Sequence, residues 1–158
     1  MPRLRDAHPF RLLDPDKLSA KKLREAATIK GALKHGAVID VEQVPKLDLV
    51  LCGSVAVNLK GARIGKGGGF SDLEYALLAE AGMVSAKTTV VATTVHPIQI
   101  LRENLPVTAH DIPVDLIATP RAAIEVERAF ERPAGILWDH LQPPQIHEIP
   151  VLERMGYA

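Results

Sequence analysis

Leu18, Leu23, Ala26, Ala27, Ile29 and Leu33 recur at close to the three- and four-residue spacing that gathers side chains on one helical face. The pattern predicts an amphipathic helix from about Asp16 to His35, stopped at Gly36. Lys21, Lys22, Arg24, Lys30 and Lys34 stand opposite that face with only Glu25 among them, an arrangement read as a solvated surface. From Asp48 to Val57 the chain is apolar almost throughout, as a strand buried on both faces inside a sheet would be. Asn58-Leu59-Lys60-Gly61 is a turn signal, after which Ala62-Arg63-Ile64 can return as a short strand. Thr88 to Val95 and Val114 to Thr119 read as two further buried strands, and Ala122 to Val126 as a short edge strand.

Between these strands, Ser71-Asp72-Leu73-Glu74 has the form of a capping box, which starts a helix that buries Leu73, Ala76, Leu77, Leu78 and Ala81 and stops at Gly82. Strand, turn, helix, strand, loop, strand is an α/β order, so the expected fold is a mainly parallel sheet flanked by helices. The tail from Pro133, with Trp138 and Pro143-Pro144, is expected to wrap the body as short helices and turns.

Composition narrows the function classes. The 158 residues fit one domain, and 19 basic against 19 acidic side chains give no net charge, which argues against nucleic acid or an anionic membrane as partner. No apolar stretch approaches the ~20 residues of a membrane span. A single cysteine, Cys52, and an N-terminus without a signal core point to a cytoplasmic protein. The six histidines form no cluster with zinc spacing, although His96 and His110 follow strands, on the edge where α/β sites form.

Five glycines fall between Gly61 and Gly69. Gly65-Lys66-Gly67-Gly68-Gly69-Phe70 leads straight into the second helix, so unhindered backbone N–H groups meet the positive end of a helix dipole. An anion site is expected there, with Lys66 and the planar fork of Arg63 adding charge. Neither familiar phosphate loop fits. The dinucleotide fingerprint lacks its third glycine at Phe70, and the P-loop lacks a hydroxyl residue after Lys66.

Asp48-Leu-Val-Leu, Ala56 and Gly61-Ala-Arg63-Ile-Gly65-Lys-Gly67-Gly68-Gly69-Phe70-Ser-Asp72 resemble the nucleotide loop of the 5-formyltetrahydrofolate cyclo-ligases, or methenyltetrahydrofolate synthetases. Gln99-Ile-Leu, Leu105-Pro106, His110-Asp111 and Val114-Asp115-Leu-Ile-Ala-Thr119-Pro120 resemble that family's second signature, in the same order. The resemblance spans about Asp48 to Ile124. It implies ATP- and Mg²⁺-dependent conversion of 5-formyltetrahydrofolate to 5,10-methenyltetrahydrofolate. On this reading Arg63, Gly65, Lys66, Gly67, Gly68, Gly69, Phe70, Ser71 and Asp72 bind nucleotide. Val57, His96 and Gln99 meet the folate or a related small molecule, and Asp72 and Asp115 hold the metal.

The chain also departs from the family pattern. Ser71-Asp72-Leu73 stands where Tyr-Asp-Arg is usual, and Gly53-Ser54-Val55-Ala56-Val57-Asn58 replaces Pro-Gly-x-Ala-Phe-Asp, which removes an aromatic platform and a charge. Lys21-Lys22-Leu23-Arg24 resembles the family's N-terminal basic helix but comes too soon before Asp48, so the chain reads as an N-terminally shortened member of a divergent branch. A binding domain without catalysis, or an interaction domain that self-associates, is the alternative, because a shortened sheet leaves an edge to protect.

Overall fold

A computed structural model describes residues 3–156. In chain order its elements are β1 (Phe10–Leu12), α1 (Ala20–Ala26), α2 (Ile29–His35), β2 (Ala37–Ile39), β3 (Leu49–Gly53), β4 (Ala56–Asn58), β5 (Arg63–Ile64), α3 (Phe70–Glu80), β6 (Val90–Thr94), β7 (Ile100–Leu101), β8 (Leu116–Ala118), β9 (Ala123–Glu125), α4 (Pro143–Glu148) and α5 (Pro150–Gly156). They fall into two compact units, one formed by the chain up to Val44 together with Leu141 onward, the other by Pro45–His140.

In the first unit β1 and β2 pair antiparallel, Phe10 opposite Ile39, a ribbon that the apolar pattern does not reveal. The single helix expected over 16–35 is broken into α1 and α2. Thr28 is the reason, because it caps α2 by accepting from the Gly31 N–H at 3.0 Å. The bend is tight: a Cβ on Gly31 would lie 1.8 Å from the Glu25 carbonyl oxygen, so only glycine fits. The Glu25 carboxylate, 2.8 Å from His35 Nε2, ties the two short helices together. The tail forms α4 and α5, each opened by a proline, where a missing N–H costs nothing.

The second unit is α/β. Its main sheet runs β3-β6-β8-β9, with β3, β6 and β8 parallel and β9 antiparallel at one edge; a smaller sheet runs β5-β4-β7. Val91, Thr93 and Ile117 on the inner strands are fully buried, as are Leu77 of α3 and Val57 of β4. The apolar run from Asp48 does not become one interior strand. It divides at Ser54-Val55 into β3 and β4, and β3 lies at the edge of its sheet, with Leu49 and Leu51 more than half exposed while Cys52 faces inward. The turn into β5 is built by Asn58, whose Oδ1 accepts from the N–H groups of Lys60 and Ala62, and by Gly61 at φ +85°.

Candidate functional site

The glycine loop delivers its helix differently from the capping-box expectation. α3 begins at Phe70, and its N-cap is Gly69 at φ +63°, a left-handed conformation that no side chain has to cap. Ser71 and Glu74 therefore lie inside the first turns and form no box; a glycine free to take positive φ starts the helix before Ser71 can. Gly67, at φ +88°, supplies the other left-handed corner, and neither glycine has an atom within 4 Å of where its Cβ would stand. The approach to the first turn is thus open backbone, the condition for an anion to come close to peptide N–H groups.

Around this corner is a cleft of about 350 Å³ lined by Gly53, Ser54, Val55, Arg63, Gly65, Lys66, Gly68, Gly69, Phe70, Ser71 and Asp72. Apart from Gly67, which lies outside the lining, the residues expected to bind nucleotide are brought together in it. Sequence reasoning did not select Gly53, Ser54 and Val55, the β3–β4 connection. Their signal was the altered family segment at these very positions. Ser54 is held by the buried Thr93 hydroxyl 2.7 Å away, which gives its one hydrogen to the Cys52 carbonyl at 2.8 Å and so accepts from the Ser54 hydroxyl.

β5 carries Arg63 into the floor of the cleft, where its side chain is 2% exposed. It makes an ion pair with Asp72 Oδ1, which also accepts from the Ile112 N–H at 3.0 Å. Arg63 Nε is buried with no hydrogen-bond partner among the described residues. A buried guanidinium with an unanswered N–H is a donor waiting for an acceptor, and an anion in the cleft is one. Behind it, burial pushes Glu74 up to about 7, a shift that Arg63 opposes and Asp72 reinforces. Burial likewise raises the Cys52 thiol to about 11, which leaves it uncharged and inert.

The remaining expected site residues lie elsewhere. Val57 is fully buried between β5 and β7. The Gln99 amide is committed to backbone, donating to the Val55 carbonyl at 2.9 Å and accepting from the His96 N–H at 2.8 Å, so it braces the β3–β4 connection from outside. His96 is exposed at the head of the short helical turn Pro97–Gln99. Asp115 is absent from the lining; its carboxylate pairs with Arg128 and Arg132 and accepts from the Val91 N–H. No group of three His, Cys, Asp or Glu side chains among the described residues could hold a metal ion. Asp72, with Oδ2 outside these contacts, is the carboxylate available to an ion that brings phosphate and water ligands with it, as Mg²⁺ usually does.

The model of the 5-formyltetrahydrofolate cyclo-ligase family matches residues 1–120, and so begins well before the Asp48 at which the motif resemblance starts. A methenyltetrahydrofolate synthase domain-containing protein of Homo sapiens is 39% identical over 156 residues, 98% of this chain and 40% of that protein. The proteins of the same description from Danio rerio and Mus musculus are 37% and 38% identical over comparable spans. The chain thus covers about 40% of the length of these relatives.

Proposed function

The chain belongs to the 5-formyltetrahydrofolate cyclo-ligase family, and from that premise we propose that the glycine cleft is a nucleotide site serving ATP-dependent closure of 5-formyltetrahydrofolate to 5,10-methenyltetrahydrofolate. One observation carries the reading: an open glycine corner at the start of α3 faces a buried arginine whose Nε has no partner. Backbone N–H groups of the first turn receive phosphate oxygens, Arg63 turns from Asp72 toward the same charge, and Lys66 closes over it from the exposed side. The formyl oxygen takes the γ-phosphoryl group, and N10 attacks the activated carbon and expels phosphate, leaving ADP. Asp72 is the side chain suited to hold Mg²⁺, which when bound supplies neutralisation of phosphate charge. Val55 and Phe70, both substantially exposed, offer apolar wall for a ring system.

A second reading, nucleotide binding without turnover, draws support from the Gln99 amide and the Asp115 carboxylate, both already engaged within the protein. One experiment separates the two. The chain is incubated with 5-formyltetrahydrofolate, ATP and Mg²⁺ while methenyl-folate absorbance is followed, and ATP binding is measured by calorimetry. ATP-dependent absorbance is the expected result. Binding without absorbance supports the second reading, and the absence of both from a folded sample overturns the assignment of the cleft.

A further inference from the structure

Away from the cleft, four side chains of the second unit form a directed hydrogen-bond chain. His110 lies in the loop before β8 and His140 ends the turn Trp138–His140; their Nδ1 atoms are 2.9 Å apart, with the ring planes at 86°. The direction of the chain follows from Thr108. Its hydroxyl has one hydrogen, donated to Asp111 Oδ2 at 2.9 Å. Toward His110 Nε2, 3.1 Å away, that oxygen can only accept, so the neutral His110 ring carries its proton on Nε2 and has its Nδ1 lone pair directed to His140. Asp111 Oδ2 also accepts from the Thr108 N–H at 2.6 Å, which fixes the turn. The Asp111 carboxylate thus reaches the outer nitrogen of His110 through the Thr108 hydroxyl, one step removed from the direct carboxylate support that metal-ligating histidines often have.

We propose that His110 and His140 are a two-histidine site for a divalent transition-metal ion of the kind that prefers imidazole, Zn²⁺, Ni²⁺ or Cu²⁺, bound through both Nδ1 atoms with water completing the shell. The ion takes the place of the proton the rings share, and His140 moves that proton to Nε2. Metal–nitrogen bonds of about 2.0–2.1 Å set neighbouring nitrogens about 3.0–3.4 Å apart, so the 2.9 Å spacing needs to open by only a few tenths of an ångström, while both rings tilt to aim their lone pairs at an ion that lies off the line between the two nitrogens. Both histidines are exposed, and the tilt disturbs no core packing. Sequence spacing hides the site because its ligands are thirty residues apart. With two protein ligands it is an exchangeable clamp joining the 108–111 turn to the 138–140 turn. The turn's next residue, Ile112, gives its N–H to Asp72, so the clamp steadies a segment that reaches the cleft.

Trp138, the one tryptophan of the chain, lies two residues before His140 and reports on the site. Titration of the intact chain with Ni²⁺ or Cu²⁺ is expected to quench its fluorescence saturably at one ion per chain, reversibly with EDTA and in competition with Zn²⁺. His110→Gln and His140→Gln, checked for folding by circular dichroism, each weaken binding by at least about tenfold. His147→Gln, whose ring pairs with Glu153, leaves it unchanged. Quenching that fails to saturate, that survives both cleft-distant substitutions His110→Gln and His140→Gln, or that disappears in His147→Gln overturns the proposal.

Discussion

Glu74, on α3 two residues beyond Asp72 and outside the lining of the cleft, shows how one residue near the site should register in stability. Its carboxyl is raised from 4.5 to about 7, mainly by burial. Between those values the folded chain holds a proton that the unfolded chain has released, so the folded state loses stability as pH rises through the window. The cost is absent well below 4.5 and complete above about 7. Glu74→Gln removes the titrating group, and its gain should be on the order of 1–3 kcal/mol at pH 8 and much smaller at pH 5. Thermal melts of both proteins at the two pH values measure this; equal gains, or none at pH 8, would show that the carboxyl is not buried in the folded state. Glu74 was visible in the sequence only as half of a capping box. Its actual environment depends on Arg63 and Asp72, which no local rule connects to it.

At the scale of elements, the order of strands and helices was legible because each segment advertises its own period and its own stop. β6, β8, β9 and α3 arise where β-branched runs, Pro120 and Gly82 put them. The sequence was less informative where two signals competed. Thr28 and Gly31 outweighed continuous apolar periodicity and split α1 from α2, and the left-handed freedom of Gly69 outweighed the Ser71 box. An apolar run cannot distinguish a strand buried on both faces from an edge strand with Leu49 and Leu51 exposed, because that depends on which neighbours arrive. The start of α3 can be tested directly. Gly67→Ala and Gly69→Ala place a methyl where nothing lies within 4 Å, so their stability loss, about 1 kcal/mol each, reads backbone strain at positive φ alone. ATP affinity should fall further than stability in Gly69→Ala, whose added Cβ stands in the lining that phosphate approaches, and less in Gly67→Ala, which lies outside it; calorimetry showing full affinity in Gly69→Ala would mean that the loop cradles no phosphate.

At the scale of the molecule, the main sheet of the second unit is closed by a charge network that no local pattern announces. Arg132, its side chain 0% exposed, donates to the Thr89 carbonyl at 2.9 Å, pairs with Asp115 and lies over the Tyr75 ring, joining the segment after β9 to β8, α3 and the start of β6. Asp115 answers with a second pair to Arg128 at 2.8 Å. The family resemblance assigns Asp115 to the metal, whereas these contacts give it a structural task, and the two roles predict different failures. Asp115→Asn strands a buried guanidinium, so the structural role predicts a loss of about 2–4 kcal/mol with ATP and Mg²⁺ binding intact in the folded fraction. Arg132→Met removes the cation itself, and because the partners act as one unit, the double variant should lose clearly less than the two single losses added together. A metal role predicts the reverse pattern: an unchanged melting temperature in Asp115→Asn, additive effects with Arg132→Met, and ATP affinity that no longer responds to Mg²⁺. Melting curves and Mg²⁺ titrations on these three variants therefore decide whether the carboxylate most exposed to family analogy serves the reaction or the sheet.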